Sequence, residues 1–127
     1  MSDEIPPPPW KIQERALEFG SRIVKLHEFL MKKKGAARRI ASQLLNSGTG
    51  VGSNLEEADA GQSKPDFISK CRISLKEARE SLYWLRLIRK NEIVKPRLIE
   101  PLVKEANEIV SVLTTIVKNA TSPPTQP

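Results

Sequence analysis

The chain has 127 residues, one cysteine and a formal net charge of +6, which allows a single domain with its own core and excludes an intramolecular disulfide. Its opening, MSDEIPPPPW, places acids and prolines where a secretory signal needs positive charge before an apolar run, and no stretch reaches the roughly 18 apolar residues of a membrane span. A cytoplasmic protein without a membrane partner is expected, and the excess of 21 Lys and Arg over 15 Asp and Glu favours a polyanionic one.

Residues 1–10 read as a proline-rich tail; Pro6 to Pro9 also fit a PxxP ligand. A first helix is expected over residues 11–33, with a seam of Ile12, Ala16, Phe19, Ile23, Leu26 and Leu30. A flanking seam of Leu17, Gly20, Val24, His27 and Met31 predicts that this helix buries two adjacent stripes. His27 lies on that second seam, as a core or boundary histidine rather than a ligand. Lys32, Lys33 and Lys34 then give a cationic last turn, and Gly35 a stop.

The second helix, residues 36–60, carries Ala37, Ala41, Leu44, Gly48, Val51, Leu55 and Ala58 on one face. Gly48, Gly50 and Gly52 each cost a helix about 1 kcal/mol relative to alanine. Close approach of another helix, at the level of Ser74, is the expected compensation. Gly61 suits the left-handed position past a helix end, and Ser63 with Asp66 forms a capping box that starts a third helix over residues 64–90.

The core seam of the third helix is Phe67, Cys71, Leu75, Ala78, Leu82 and Leu85, which makes Cys71 a buried thiol. A second line, Asp66, Lys70, Ile73, Glu77, Glu80, Trp84 and Leu87, sets two carboxylates between apolar side chains. The fourth helix follows residues 91–95 and Pro96, on a seam of Ile99, Leu102, Ala106, Ile109, Leu113, Ile116 and Ala120. Pro101 implies either a helix that begins in earnest there or a kink near its start. Residues 121–127 read as a disordered tail. Four amphipathic helices joined by short links predict an all-α fold, an antiparallel up-down-up-down four-helix bundle over residues 11–120.

The string Ser47-Gly48-Thr49-Gly50-Val51-Gly52-Ser53-Asn54-Leu55-Glu56-Glu57-Ala58, with Ser63-Lys64, Asp66-Phe67-Ile68, Leu75 to Glu80 and Tyr83 to Leu87, resembles the four-helix bundle proteins encoded in intervening sequences of bacterial large-subunit ribosomal RNA genes. The resemblance extends more loosely over residues 11–119. It departs at Gly50, where many relatives have serine. It implies a basic homopentamer that binds nucleic acid and no catalytic residue. It also implies a relation in fold to accessory proteins of diversity-generating retroelements, bundles that partner a reverse transcriptase and its RNA.

An up-down-up-down bundle brings the link between the first two helices and the link between the last two to one end. That end would collect Lys32, Lys33, Lys34, Arg38, Arg39, Arg86, Arg89, Lys90, Lys95 and Arg97. Such a cluster is either a footprint for phosphate backbones or a solvated end whose cations complement helix C-termini. The opposite end is expected to be acidic, with Glu14, Glu18, Glu56, Glu57, Asp59 and Asp66.

An enzyme is not expected. Glu56 and Glu57 followed by Glu77 and Glu80 are similar to the paired acids of helical magnesium-dependent pyrophosphatases, but helical register sets Glu57 and Glu77 about 15 Å apart along the axis. Ala60 stands where a third acid is needed, and there is no Glu-x-x-His for a di-iron site. Gly48 to Gly52 lack the lysine and the preceding strand of a phosphate loop. No metal or other cofactor is therefore expected. Glu77 and Glu80 fit either a polar network with Ser47 and Asn54 or a solvated stripe. Ile73, Trp84 and Leu87 are the candidate oligomer interface. The expected function is non-catalytic, homo-oligomeric binding of nucleic acid, RNA above all; the alternative is an adaptor docking an acidic protein surface such as a reverse transcriptase.

Overall fold

The computed structural model describes residues 8–60 and 63–123. Four helices make up the fold: α1 (Pro8–Leu30), α2 (Ala36–Asp59), α3 (Lys64–Lys90) and α4 (Pro96–Thr121). The PxxP reading of Pro6 to Pro9 lies largely outside the described residues, as do the left-handed turn at Gly61 and residues 124–127 of the C-terminal tail.

Each helix packs against two neighbours, α1 on α2 and α4, and α3 on α2 and α4, while the diagonal pairs stay apart. Residue pairs across each seam run in opposite directions. Gly48 meets Ile23 where Gly52 meets Ala16. Val51 pairs with Ser74, and Ser47 with Ser81. Arg89 reaches Glu100, whereas Ile73 lies beside Thr121 at the other end of the same seam. The bundle is therefore antiparallel, with the α1–α2 and α3–α4 links at one end.

The interior is a stack of side chains from every helix. Phe19, Ile23, Leu30, Leu44, Leu85, Ile88, Ile99, Ile109 and Leu113 are all fully buried. Each such side chain contributes about 1.5–3 kcal/mol by leaving water. Cys71 sits in this core, and burial pushes its thiol above the usual range, leaving it a poor nucleophile.

Several boundaries differ from the periodicity. α1 starts at Pro8, inside the stretch read as tail, since a proline at the start of a helix gives up no hydrogen bond. It ends at Leu30, so Lys32 to Lys34 lie in the turn rather than in the last helical turn. Gly35 takes φ 71°, a left-handed conformation that lets α2 start at Ala36. α4 begins at Pro96 and passes through Pro101 without interruption; Pro101 is exposed, on the solvated side of the helix.

The flanking stripe of α1 joins the core only in part: Gly20 is buried and Met31 packs against the core, whereas Leu17 is 73% exposed and Val24 39%. On α3, Ser74, Ser81 and Ile88 are buried as well, the two serines bonded to α2, while Phe67 and Leu82 are only half-buried. Among the described residues no helix is long and apolar enough to cross a membrane.

Candidate nucleic-acid interface

Two tight links build the basic end. Beyond Leu30 the chain makes a turn held by Met31 N–H to His27 O at 2.9 Å and Lys33 N–H to Leu30 O at 3.0 Å. After Lys90, the Asn91 and Ile93 N–H groups bond back to Leu87 O and Ile88 O, both at 3.1 Å, and Glu92 takes φ 52°. That is the left-handed position past a helix end that glycine usually fills. The Ile93 side chain folds inward and, with Ile40 and Leu87, forms the apolar floor of a crevice rimmed by Lys33 and Lys34.

On the other side of Lys33 lies a cleft of about 600 Å³ between the end of α1 and the start of α4. Phe29 and Leu98 line it, together with Lys33, Arg89, Lys95 and Arg97, and Glu92 is the acid in its lining. Lys33 Nζ stands 5.2 Å from the centre of the Phe29 ring, a cation–π contact. Arg89 is tied to Glu100 at 3.2 Å. Lys32, Lys34, Arg38, Arg39, Arg86, Lys90, Lys95 and Arg97 are exposed and make no ion pair among the described residues.

The opposite end carries the acids expected, diluted by cations. Glu14, Glu18, Glu56, Glu57 and Asp59 are exposed there and Asp66 is half-buried, while Lys64, Arg72 and Lys118, exposed at the same end, offset half of these six charges. The third and fourth helices bring the cations that the local acidic run at Glu56–Asp59 concealed.

Along the α2–α3 seam the polar residues pair differently from the network drawn above. The Ser81 hydroxyl contacts the Ser47 hydroxyl at 2.9 Å and the Glu77 carbonyl at 2.9 Å, and Ser74 donates to Val51 O at 2.7 Å. Asn54 donates to Gly50 O, within its own helix, at 2.8 Å. Serines and backbone thus satisfy one another, leaving the Glu77 and Glu80 carboxylates half-buried and without a hydrogen bond or ion pair among the described residues. Burial, then the nearby Glu80, raises the Glu77 pKa, and Lys76 opposes the rise.

Ile73 is 38% exposed, Trp84 is half-buried against the core, and Leu87 is half-buried. Tyr83, 55% exposed, meets Trp84 edge to face with ring centres 5.0 Å apart, and the Trp84 indole N–H is buried without a partner among the described residues. No group of three or more His, Cys, Asp or Glu among the described residues could hold a metal ion.

The profile of the 23S rRNA-intervening sequence proteins matches residues 10–115. The chain belongs to the 23S rRNA-intervening sequence protein family. A solved structure, described as a protein with unknown function from the S23 ribosomal protein family of Bacteroides thetaiotaomicron VPI-5482, superposes with a TM-score of 0.80 at 37% identity, covering 88% of this chain and 99% of that one. No curated protein matches. The family match therefore takes in both links of the basic end and the glycine run of α2. Phe29 and Leu98 went unremarked in the sequence because neither falls on a seam. The available signal was an aromatic one helical turn before Lys33, beside the seam of Leu26 and Leu30.

Proposed function

We propose that this family member is a non-catalytic RNA-binding protein that holds phosphate backbones at its basic end. The observation that supports it is the convergence of ten lysines and arginines on two short links and the helix turns that adjoin them, eight of them exposed and without an ion pair among the described residues. Cations left unpaired at one end of a bundle bind phosphate by releasing the counterions condensed on it, with little regard to sequence. The family's description, which names 23S rRNA, agrees with RNA as the polyanion. A homopentamer in the cytoplasm completes the reading, with Ile73, Trp84 and Leu87 as its candidate contacts; sedimentation giving a monomer at micromolar concentration would remove that part.

The test compares two variants of equal charge. Lys34, Arg38, Lys95 and Arg97 changed to Gln should weaken RNA binding and flatten its salt dependence, by a slope of about one for each lost contact. Lys64, Arg72, Lys76 and Lys118 changed to Gln should do far less. Equal losses would reduce the binding to diffuse attraction. Tight binding to one acidic protein with none to RNA would favour the adaptor reading, with a reverse transcriptase as one such partner.

A further inference from the structure

We propose that the cleft between the end of α1 and the start of α4 takes single-stranded RNA, with a base stacked on Phe29 and flanking phosphates on Lys33, Lys95 and Arg97. This rests on the RNA-binding reading and adds the form of the strand. Phe29 is 45% exposed and Leu98 46%, and both line the same open cleft of about 600 Å³, which also takes in the cations Lys33, Arg89, Lys95 and Arg97 beside apolar Ile93, Val94, Pro96 and Ile99. A solvated cationic end has no need of an exposed phenyl ring and leucine among its cations. An aromatic surrounded by cations is instead the pairing that binds single strands, since every base has a face to stack and every linkage a phosphate to neutralise.

The geometry of the ring agrees. Lys33 Nζ lies over the ring, 5.2 Å from its centre, so a phosphate-binding cation stands against the aromatic face within one chain segment. Across the cleft, the α3–α4 link presents Lys95 and Arg97 without an ion pair among the described residues, while Arg89 is held back by Glu100. A duplex keeps its bases stacked on one another and offers none to Phe29. An acidic peptide would satisfy the cations and leave the ring uncovered.

The experiment measures binding of the full chain to a short labelled oligouridylate and to a blunt RNA duplex carrying the same number of phosphates. The single strand should bind more tightly. Phe29→Leu, which keeps an apolar side chain at a half-exposed site, should weaken the single strand about tenfold, within the range set by one base stack, and leave the duplex unchanged. Phe29→Trp should restore single-strand affinity and show quenching of indole fluorescence, relative to the parent protein, on binding. Equal affinity for both probes with no effect of Phe29→Leu would overturn this inference and leave the phosphate reading standing. Displacement of the single strand by polyglutamate at matched charge would also overturn it, as would a Phe29→Leu variant altered in sedimentation rather than in binding. Failure of both probes to bind would remove the parent reading as well.

Discussion

Gly50 lies against the Glu77 carboxyl group: a Cβ on the glycine would stand 3.2 Å from Cγ, Cδ and Oε1 of the glutamate. The family resemblance places serine at this position in many relatives, and the geometry shows what a hydroxyl would do there. Gly50→Ser should donate to the otherwise unpartnered carboxylate, which favours its charged form and lowers the Glu77 pKa. Carboxyl-carbon NMR titration of the two proteins would measure the change; a Glu77 pKa that rises further would mean that the serine only adds burial.

Glu77 also makes stability depend on pH in a stated direction. Its pKa is raised above the ordinary 4.5, first by burial and then by Glu80, so the folded state holds the proton more tightly than the unfolded chain. Folding stability therefore falls as pH rises from below 4.5 through the raised value, and the penalty is constant above it. Glu77→Gln should be more stable than the parent near pH 7, with the gap closing near pH 4, as read from urea midpoints. A gap that instead widens on acidification would point to a partner stabilising the carboxylate.

Two glycines one helical turn apart should respond oppositely to alanine. At Gly48 a Cβ would meet Ile23 Cγ2 at 2.8 Å and Cγ1 at 2.9 Å, with that isoleucine fully buried and β-branched. Overpacking of about 1–3 kcal/mol should outweigh the gain of about 1 kcal/mol in helix propensity. At Gly52 a Cβ would make ordinary contact with Ala16 at 3.6 Å. Gly52→Ala should then stabilise by about 0.5–1 kcal/mol. Equal shifts in the two melting temperatures would refute the close approach of α1 at Gly48.

Glu92 occupies a backbone conformation, φ 52°, that costs a side-chain-bearing residue about 1 kcal/mol. Glu92→Gly should recover about that much stability. The same change removes the acid from the lining of the basic cleft, so RNA affinity should rise at low salt and converge with the parent at high salt. Calorimetry and a salt titration separate the two effects.

The seams of α2 and α4 were legible because alternating spacings of three and four residues mark whichever helix face is buried, and every α2 position on that face is buried in the structure. The glycine contacts were only half legible. Gly50 does face α3, at Glu77, but Gly48 and Gly52 face α1, at Ile23 and Ala16. Periodicity defines the buried face of a helix, yet not which of its two neighbours each residue meets. The serine pairing was obscured for a related reason: Ser74 and Ser81 carry no hydrophobic signal, so a polar line was drawn through Glu77 and Glu80 instead. Phe29 escaped because an outward-facing aromatic has no period.

Every seam but one joins helices that are consecutive in the chain. The exception is α1 against α4, where Arg15 bridges Glu105 at 2.9 Å and Glu108 at 2.8 Å across separations of 90 and 93 positions. Closing a loop of that size carries the largest chain-entropy cost of any contact in the bundle, so this seam should form last on folding and open first. A molecule open along it is a strip of three hairpin pairings with α4 free to swing. At high protein concentration the vacant place beside α1 can accept the α4 of another copy, which makes exchange of that helix the misassembly to which this topology is most exposed.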